Sequence, residues 1–158
     1  MTDRRLHLAE MTTMSSSPEQ QRFTASECEI SNLMSAYAYR NDDYDISGLG
    51  DLFADAVFTL DGTAARGRTE IEELARSIIE VRADGRSATT HELTNIMISV
   101  DEAAGTAVGH AYWTLYRTVP GTPRDAVLSG RYLDHFAYRD GRWGFAERRA
   151  TTLWSSAT

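Results

Sequence analysis

Three short segments hold the side chains that could do chemistry: Tyr37-Ala-Tyr-Arg-Asn-Asp42, Thr90-His91-Glu-Leu-Thr-Asn95 and Gly141-Arg-Trp143-Gly-Phe-Ala-Glu-Arg148. They supply a phenol, a carboxylate, an imidazole and a guanidinium, a set suited to removing a proton and holding the negative charge that follows. Alone, His91 reads as a core histidine satisfied by hydrogen bonds, and Asp42 as a solvated loop acid like its neighbours Asp43 and Asp45. Together they mean more. A carboxylate that reaches the imidazole fixes its tautomer and stabilises its protonated form, giving a general base near neutral pH. Arg148 and Arg149 face opposite ways in an extended strand, so one of them enters the interior, where it would bind a carboxylate, phenolate or enolate oxygen.

The pocket around this set is expected from alternation along the strands. His91 shares a face with Leu93, Asn95 and Met97, which puts it at the rim of an apolar cavity. In Gly109-His-Ala-Tyr-Trp113, His110 shares a face with Tyr112 and Thr114, while Ala111, Trp113 and Leu115 form the other. Both faces are partly apolar, so alternation leaves open which one points inward. Asn95, His110, Tyr112, Trp113 and Tyr132 are the candidate pocket residues; His7 and His135 read as non-functional.

The elements that must position these groups are legible in the hydrophobic periodicity. Ser26-Glu-Cys-Glu29 has the form of a capping box, and Ile30, Leu33, Met34, Tyr37 and Ala38 follow one helical face, predicting a helix over about 25–40. Ile46, Leu49, Leu52 and Phe53 mark a short second helix, followed by a strand over 57–60 running into the turn Asp61-Gly62. A third helix is signalled by Thr69-Glu-Ile-Glu72, with Ile71, Leu74, Ala75, Ile78 and Ile79 on one stripe. From there the period becomes two, over about 89–100, 105–119, 125–139 and 142–154, separated by short turns. This predicts an α+β domain in which a curved, mainly antiparallel sheet wraps three helices and leaves a cone-shaped cavity open at one end.

Composition bounds the rest. A chain of 158 residues, 42% hydrophobic, suits one domain, expected over 23–158 behind a disordered tail over 1–22. The formal net charge of -7 argues against nucleic acid as a partner. All 16 basic residues are arginine, so no lysine is present for a Schiff base or a P-loop. The single cysteine, Cys28, forms no intrachain disulfide and reads as a small hydrophobe in a reducing, cytoplasmic setting. No apolar run is long enough for a signal peptide or a membrane span, and no metal-ligand spacing or glycine-rich nucleotide loop follows a strand. The expectation is therefore an enzyme without metal or other cofactor, acting on a small hydrophobic molecule. It should assemble as a homodimer or homotrimer through a sheet face carrying Trp113, Leu115 and Leu133.

Tyr37-Ala-x-x-x-Asp42, Leu52-Phe-Ala-Asp-Ala-Val57, Gly67-Arg-x-x-Ile71, His91-x-x-x-Asn95, Gly130-Arg-Tyr132 and Asp140-Gly-Arg-Trp143 occur in this order, and over about residues 25–154 the chain resembles the SnoaL-like group of the nuclear-transport-factor-like superfamily. The resemblance implies the fold, and it covers dehydratases, a dehydrochlorinase, isomerases, polyketide cyclases and non-catalytic subunits. Its dehydratase branch implies roles for the matching positions: His91 as base, Asp42 as its orienter, Tyr37 polarising an oxygen and Arg148 stabilising negative charge. His110 matches a second pocket histidine, at a shorter separation from His91. Elimination of water or a similar leaving group from a ring or polyketide-like substrate is the implied reaction. The alternatives are polyketide cyclisation or isomerisation, and a domain that only binds a small ligand.

Overall fold

The structure, a computed structural model, describes the backbone of residues 18–156 and the side-chain surroundings of residues 25–156. Two helices, α1 (Pro18–Asp42) and α2 (Ile46–Leu52), precede the hairpin β1 (Val57–Leu60) and β2 (Thr63–Arg66). A third helix, α3 (Gly67–Ile78), is followed by four long strands, β3 (Thr89–Asp101), β4 (Thr106–Arg117), β5 (Ala126–Arg139) and β6 (Arg142–Ser155). They form one six-stranded sheet in the order β2-β1-β6-β5-β4-β3, antiparallel except where β1 runs parallel to β6. The sheet curls around the helices, so its concave face and the apolar stripes of the helices share one core.

Along α1 the buried positions Ile30, Met34, Tyr37 and Ala38 recur at helical spacing and turn toward the sheet. With Phe53 and Leu49 from the α2 region and Phe58, Phe136, Phe145, Trp113, Tyr132 and Trp143 from the strands they make a core rich in aromatic rings. Burying each large side chain contributes about 1.5–3 kcal/mol, and the rings meet edge-on or offset, as between Phe53 and Phe145 at 4.8 Å. Asp61-Gly62 and Asp140-Gly141 turn two hairpins with every residue at positive φ, the geometry of tight two-residue connections that suits Asp and Gly.

Several boundaries differ from the periodicity. α1 already includes Pro18 to Arg22, which the expected tail had claimed; the rest of that tail, residues 1–17, lies outside the described residues. Ser26 and Glu29 sit within the helix and cap nothing there. Glu29 instead accepts a hydrogen bond from the backbone N–H of Trp143 at 2.9 Å, fastening α1 to the start of β6. α3 starts ahead of the Thr69 motif, and Glu70 reaches back to accept from the N–H of Arg66 at 2.8 Å. The strand β2 was too short to show a period of its own.

The sheet faces also divide differently. Trp113 and Leu115 point into the concave interior and Leu133 outward, so they do not form one exterior face. In β3 the register slips between Thr94 and Met97, where Asn95 adopts φ 53. That bulge reverses the alternation. His91 and Leu93 face inward before it, Ile98 and Val100 after it, and Met97 ends up 65% exposed on the convex side. No helix among the described residues is long and apolar enough to cross a membrane.

Candidate active site

Asp42 is the last residue of α1, where the negative end of the helix dipole makes an unpartnered carboxylate unfavourable. Its partner is His91, near the start of β3. The imidazole Nδ1 lies 2.7 Å from Asp42 Oδ1, and the backbone N–H of His91 donates to the same carboxylate at 3.0 Å. The His91 side chain is 5% exposed and that of Asp42 16%, so water competes little for this bond. With Nδ1–H given to the carboxylate, the Nε2 lone pair is left as the acceptor. The loop after α3 covers the pair: Ser87 N–H donates to the Asp42 carbonyl at 3.0 Å and Arg86 pairs with Asp43.

Tyr37 stands one and a half turns before Asp42 on α1 and carries the site onward. Its ring meets that of His91 edge-on at 5.6 Å and that of Tyr132 at 5.9 Å. Burial pushes both phenols above the ordinary tyrosine value, and the nearby Arg148 cation only tempers this, so both remain neutral donors. Asn41, which sequence reasoning passed over, is buried beside Tyr37 along a small apolar cleft reaching α3.

Arg148 is the inward member of its pair, fully buried, whereas Arg149 is exposed and bonded to Glu147. Its guanidinium grips Asp134 with two parallel bonds, Nε to Oδ1 at 2.8 Å and Nη2 to Oδ2 at 2.6 Å. Burial by itself would weaken the cation, but the Asp134 carboxylate more than offsets this and holds the guanidinium charged. The third nitrogen, Nη1, is buried and has no partner among the described residues. The guanidinium carbon lies 3.9 Å from the centre of the Tyr132 ring and 4.7 Å from that of Tyr37. Asp134 also escaped sequence reasoning. The signal was available, since an acid between Tyr132 and Phe136 on an apolar strand face needs a buried cation opposite.

Asp42, His91, Tyr37 and Arg148 thus converge through the Tyr37 ring on one interior. Of the candidate pocket residues, Trp113 and Tyr132 line that interior, stacked on each other at 5.8 Å. His110 and Tyr112 do not. They project from the convex face, because their neighbours along β4, Ala111 and Trp113, take the inward positions. Asn95 sits exposed in the bulge, and with His110, Tyr112 and Arg131 it borders a separate groove of about 360 Å³. Leu93, Leu115 and Leu128, inward but only partly buried, surround the approach to His91. No group of three or more metal-ligating side chains gathers among the described residues.

The chain matches the SnoaL-like domain family over residues 22–149 and belongs to that family. No curated protein matches it. Among solved structures it is similar to an NTF2-like protein with a cystatin-like fold from Novosphingobium aromaticivorans, at 23% identity and TM-score 0.74, covering 94% of this chain and 95% of that one. A hexachlorocyclohexane dehydrochlorinase, LinA type 2, aligns at 20% identity and TM-score 0.71, over 86% of this chain and 90% of that one. A scytalone-dehydratase-like protein from Novosphingobium aromaticivorans aligns at 22% identity and TM-score 0.70, over 87% of this chain and 91% of that one. At these identities the likeness is one of fold.

Proposed function

We propose that the protein is a cofactor-independent lyase of the dehydratase type, in which His91 removes a proton from carbon next to a carbonyl of a small, largely apolar ring substrate. The observation that carries this is the buried Asp42–His91 bond at 2.7 Å on the inward face of the sheet. A histidine placed there only for packing does not need a carboxylate at the end of a helix to orient it. Asp42 keeps Nδ1–H engaged and stabilises the imidazolium once Nε2 has taken the proton. The electron pair released from the C–H bond moves onto the carbonyl oxygen, where Arg148 Nη1–H is a buried donor without a partner among the described residues and Tyr37 a neutral one. Its return forms the carbon–carbon double bond and expels the leaving group from the adjacent carbon. A departing hydroxide takes the proton from His91 and leaves as water. Two similar structures, a hexachlorocyclohexane dehydrochlorinase and a scytalone-dehydratase-like protein, support elimination as the class.

The test isolates the first step. α-Tetralone in deuterated water exchanges its hydrogens next to the carbonyl, and nuclear magnetic resonance follows the loss of signal. The wild-type protein should accelerate exchange, and His91→Ala and Asp42→Asn should each reduce that acceleration by roughly a hundredfold. The double variant should be little worse than either single one, because both disable one unit. Variants that exchange at the wild-type rate would show the pair to be structural.

A further inference from the structure

Besides Arg148 Nη1, two buried indole N–H groups have no acceptor among the described residues, those of Trp113 and Trp143; Trp113, the one stacked on Tyr132, is left unused by the proposed proton transfer. Trp113 is 4% exposed on the inward face of β4, and its indole Nε1–H has no acceptor among the described residues. Packing does not account for the indole. Phenylalanine would stack on Tyr132 equally well and would bury no unsatisfied polar atom. The neighbouring strand is also shaped for it: a Cβ on Gly130 would lie 2.5 Å and 2.7 Å from two indole carbons, so only glycine leaves the ring its place.

We infer that Trp113 determines substrate specificity by donating its indole N–H to a second oxygen of the substrate, distinct from the carbonyl held at Arg148. This rests on the reading of the interior as an active site. Of the three unpartnered donors, Trp113 and Arg148 border Tyr132, Trp113 stacked on its ring and the Arg148 guanidinium 3.9 Å from its centre, whereas Trp143 packs against Tyr138. The acceptors of the interior are already committed, Asp42 to His91 and Asp134 to Arg148. What remains around Tyr132 is one base, two neutral phenols and two N–H groups without a partner among the described residues. Such a surface selects a ligand rich in acceptor oxygens on an apolar frame and rejects amines, which would find no free carboxylate. A hydroxy-ketone or diketone on an apolar frame meets these terms, and a ketone with one oxygen meets half of them.

Calorimetric binding of α-tetralone and of its ring-hydroxylated forms, to the wild type and to Trp113→Phe, tests this. In the wild type at least one hydroxylated form should bind about tenfold tighter than α-tetralone, and Trp113→Phe should erase that preference. The indole N–H resonance of Trp113, assigned by elimination with Trp143→Phe and Trp154→Phe, should move downfield with the preferred hydroxylated form and stay in place with α-tetralone. This second reading needs no change at Trp113. A wild type without preference, a preference that survives Trp113→Phe, or an unmoved resonance overturns the inference. Hydrogen exchange into α-tetralone that depends on His91 would leave the base assignment standing in each of those cases. Absence of that exchange, with the oxygen preference intact, would overturn the base and not Trp113.

Discussion

Two carboxylate-anchored pairs lie within one interior, Asp134 with Arg148 and Asp42 with His91, and their surroundings give them different work. Asp134 and Arg148 are both fully buried and bonded at two points, so truncating either strands a charge in an apolar medium. Arg148→Ala should destabilise the protein by about 3–5 kcal/mol, read as a lowered midpoint in denaturant titration. Asp42 and His91 sit nearer the surface with one imidazole nitrogen uncommitted, and Asp42→Asn should change the rate of proton removal far more than the midpoint. The two neutral phenols give a further prediction. Tyr37 and Tyr132 are raised above the ordinary value of 10.0, chiefly by burial, while unfolded tyrosine ionises there. Their contribution to stability is therefore complete below that pH and declines as pH rises through the folded values. Phenolate absorbance should show two of the seven tyrosines titrating late and together with unfolding, and the loss of stability above that pH should be smaller in Tyr132→Phe.

At the scale of elements, the site depends on one irregular strand and one bare position. The bulge at Asn95 keeps His91 and Leu93 inward while Ile98 and Val100 also face the core, and it places the unpaired residues at the edge of the sheet. Gly130 clears the floor for Trp113. A methyl group there would approach the Thr151 carbonyl oxygen to 2.1 Å as well as the indole, so backbone or ring must move. Gly130→Ala should cost about 1–3 kcal/mol, and the displaced ring should show a changed near-ultraviolet circular dichroism spectrum. An unchanged spectrum with an unchanged midpoint would mean that the strand has more slack than these distances allow.

Seen whole, the molecule keeps apolar side chains outside its core. Ile96, Met97, Tyr112, Leu153 and Trp154 are exposed on the long strands, away from the helices. A face of this kind is expected to pair with a second copy of the chain, giving a dimer or trimer. Light scattering at micromolar concentration should return a multiple of 17.6 kDa. Met97→Glu and Leu153→Glu should move it toward the monomer, and a wild type that is already monomeric contradicts the expectation.

The class of fold and the four long strands, to within about two residues, were legible in the sequence, and it singled out Asp42 and His91, which the structure brings to 2.7 Å. It could do so because period-two and helical spacing are local properties, and Asp-Gly turns have few conformations to choose from. Alternation left a two-fold choice of face on β4, and only packing in the folded core, where Trp113 stacks on Tyr132, decided that Trp113 turns inward and His110 outward. The bulge reversed Met97 without any mark in the pattern, since a single extra residue has no period. Capping motifs at Ser26 and Thr69 misplaced two helix starts, because a four-residue signature says nothing of the turns upstream. The partnership of Asp134 with Arg148, and the three buried N–H donors left without acceptors among the described residues, belong to the tertiary structure alone: each depends on strand register and on which groups the core brings within hydrogen-bond distance.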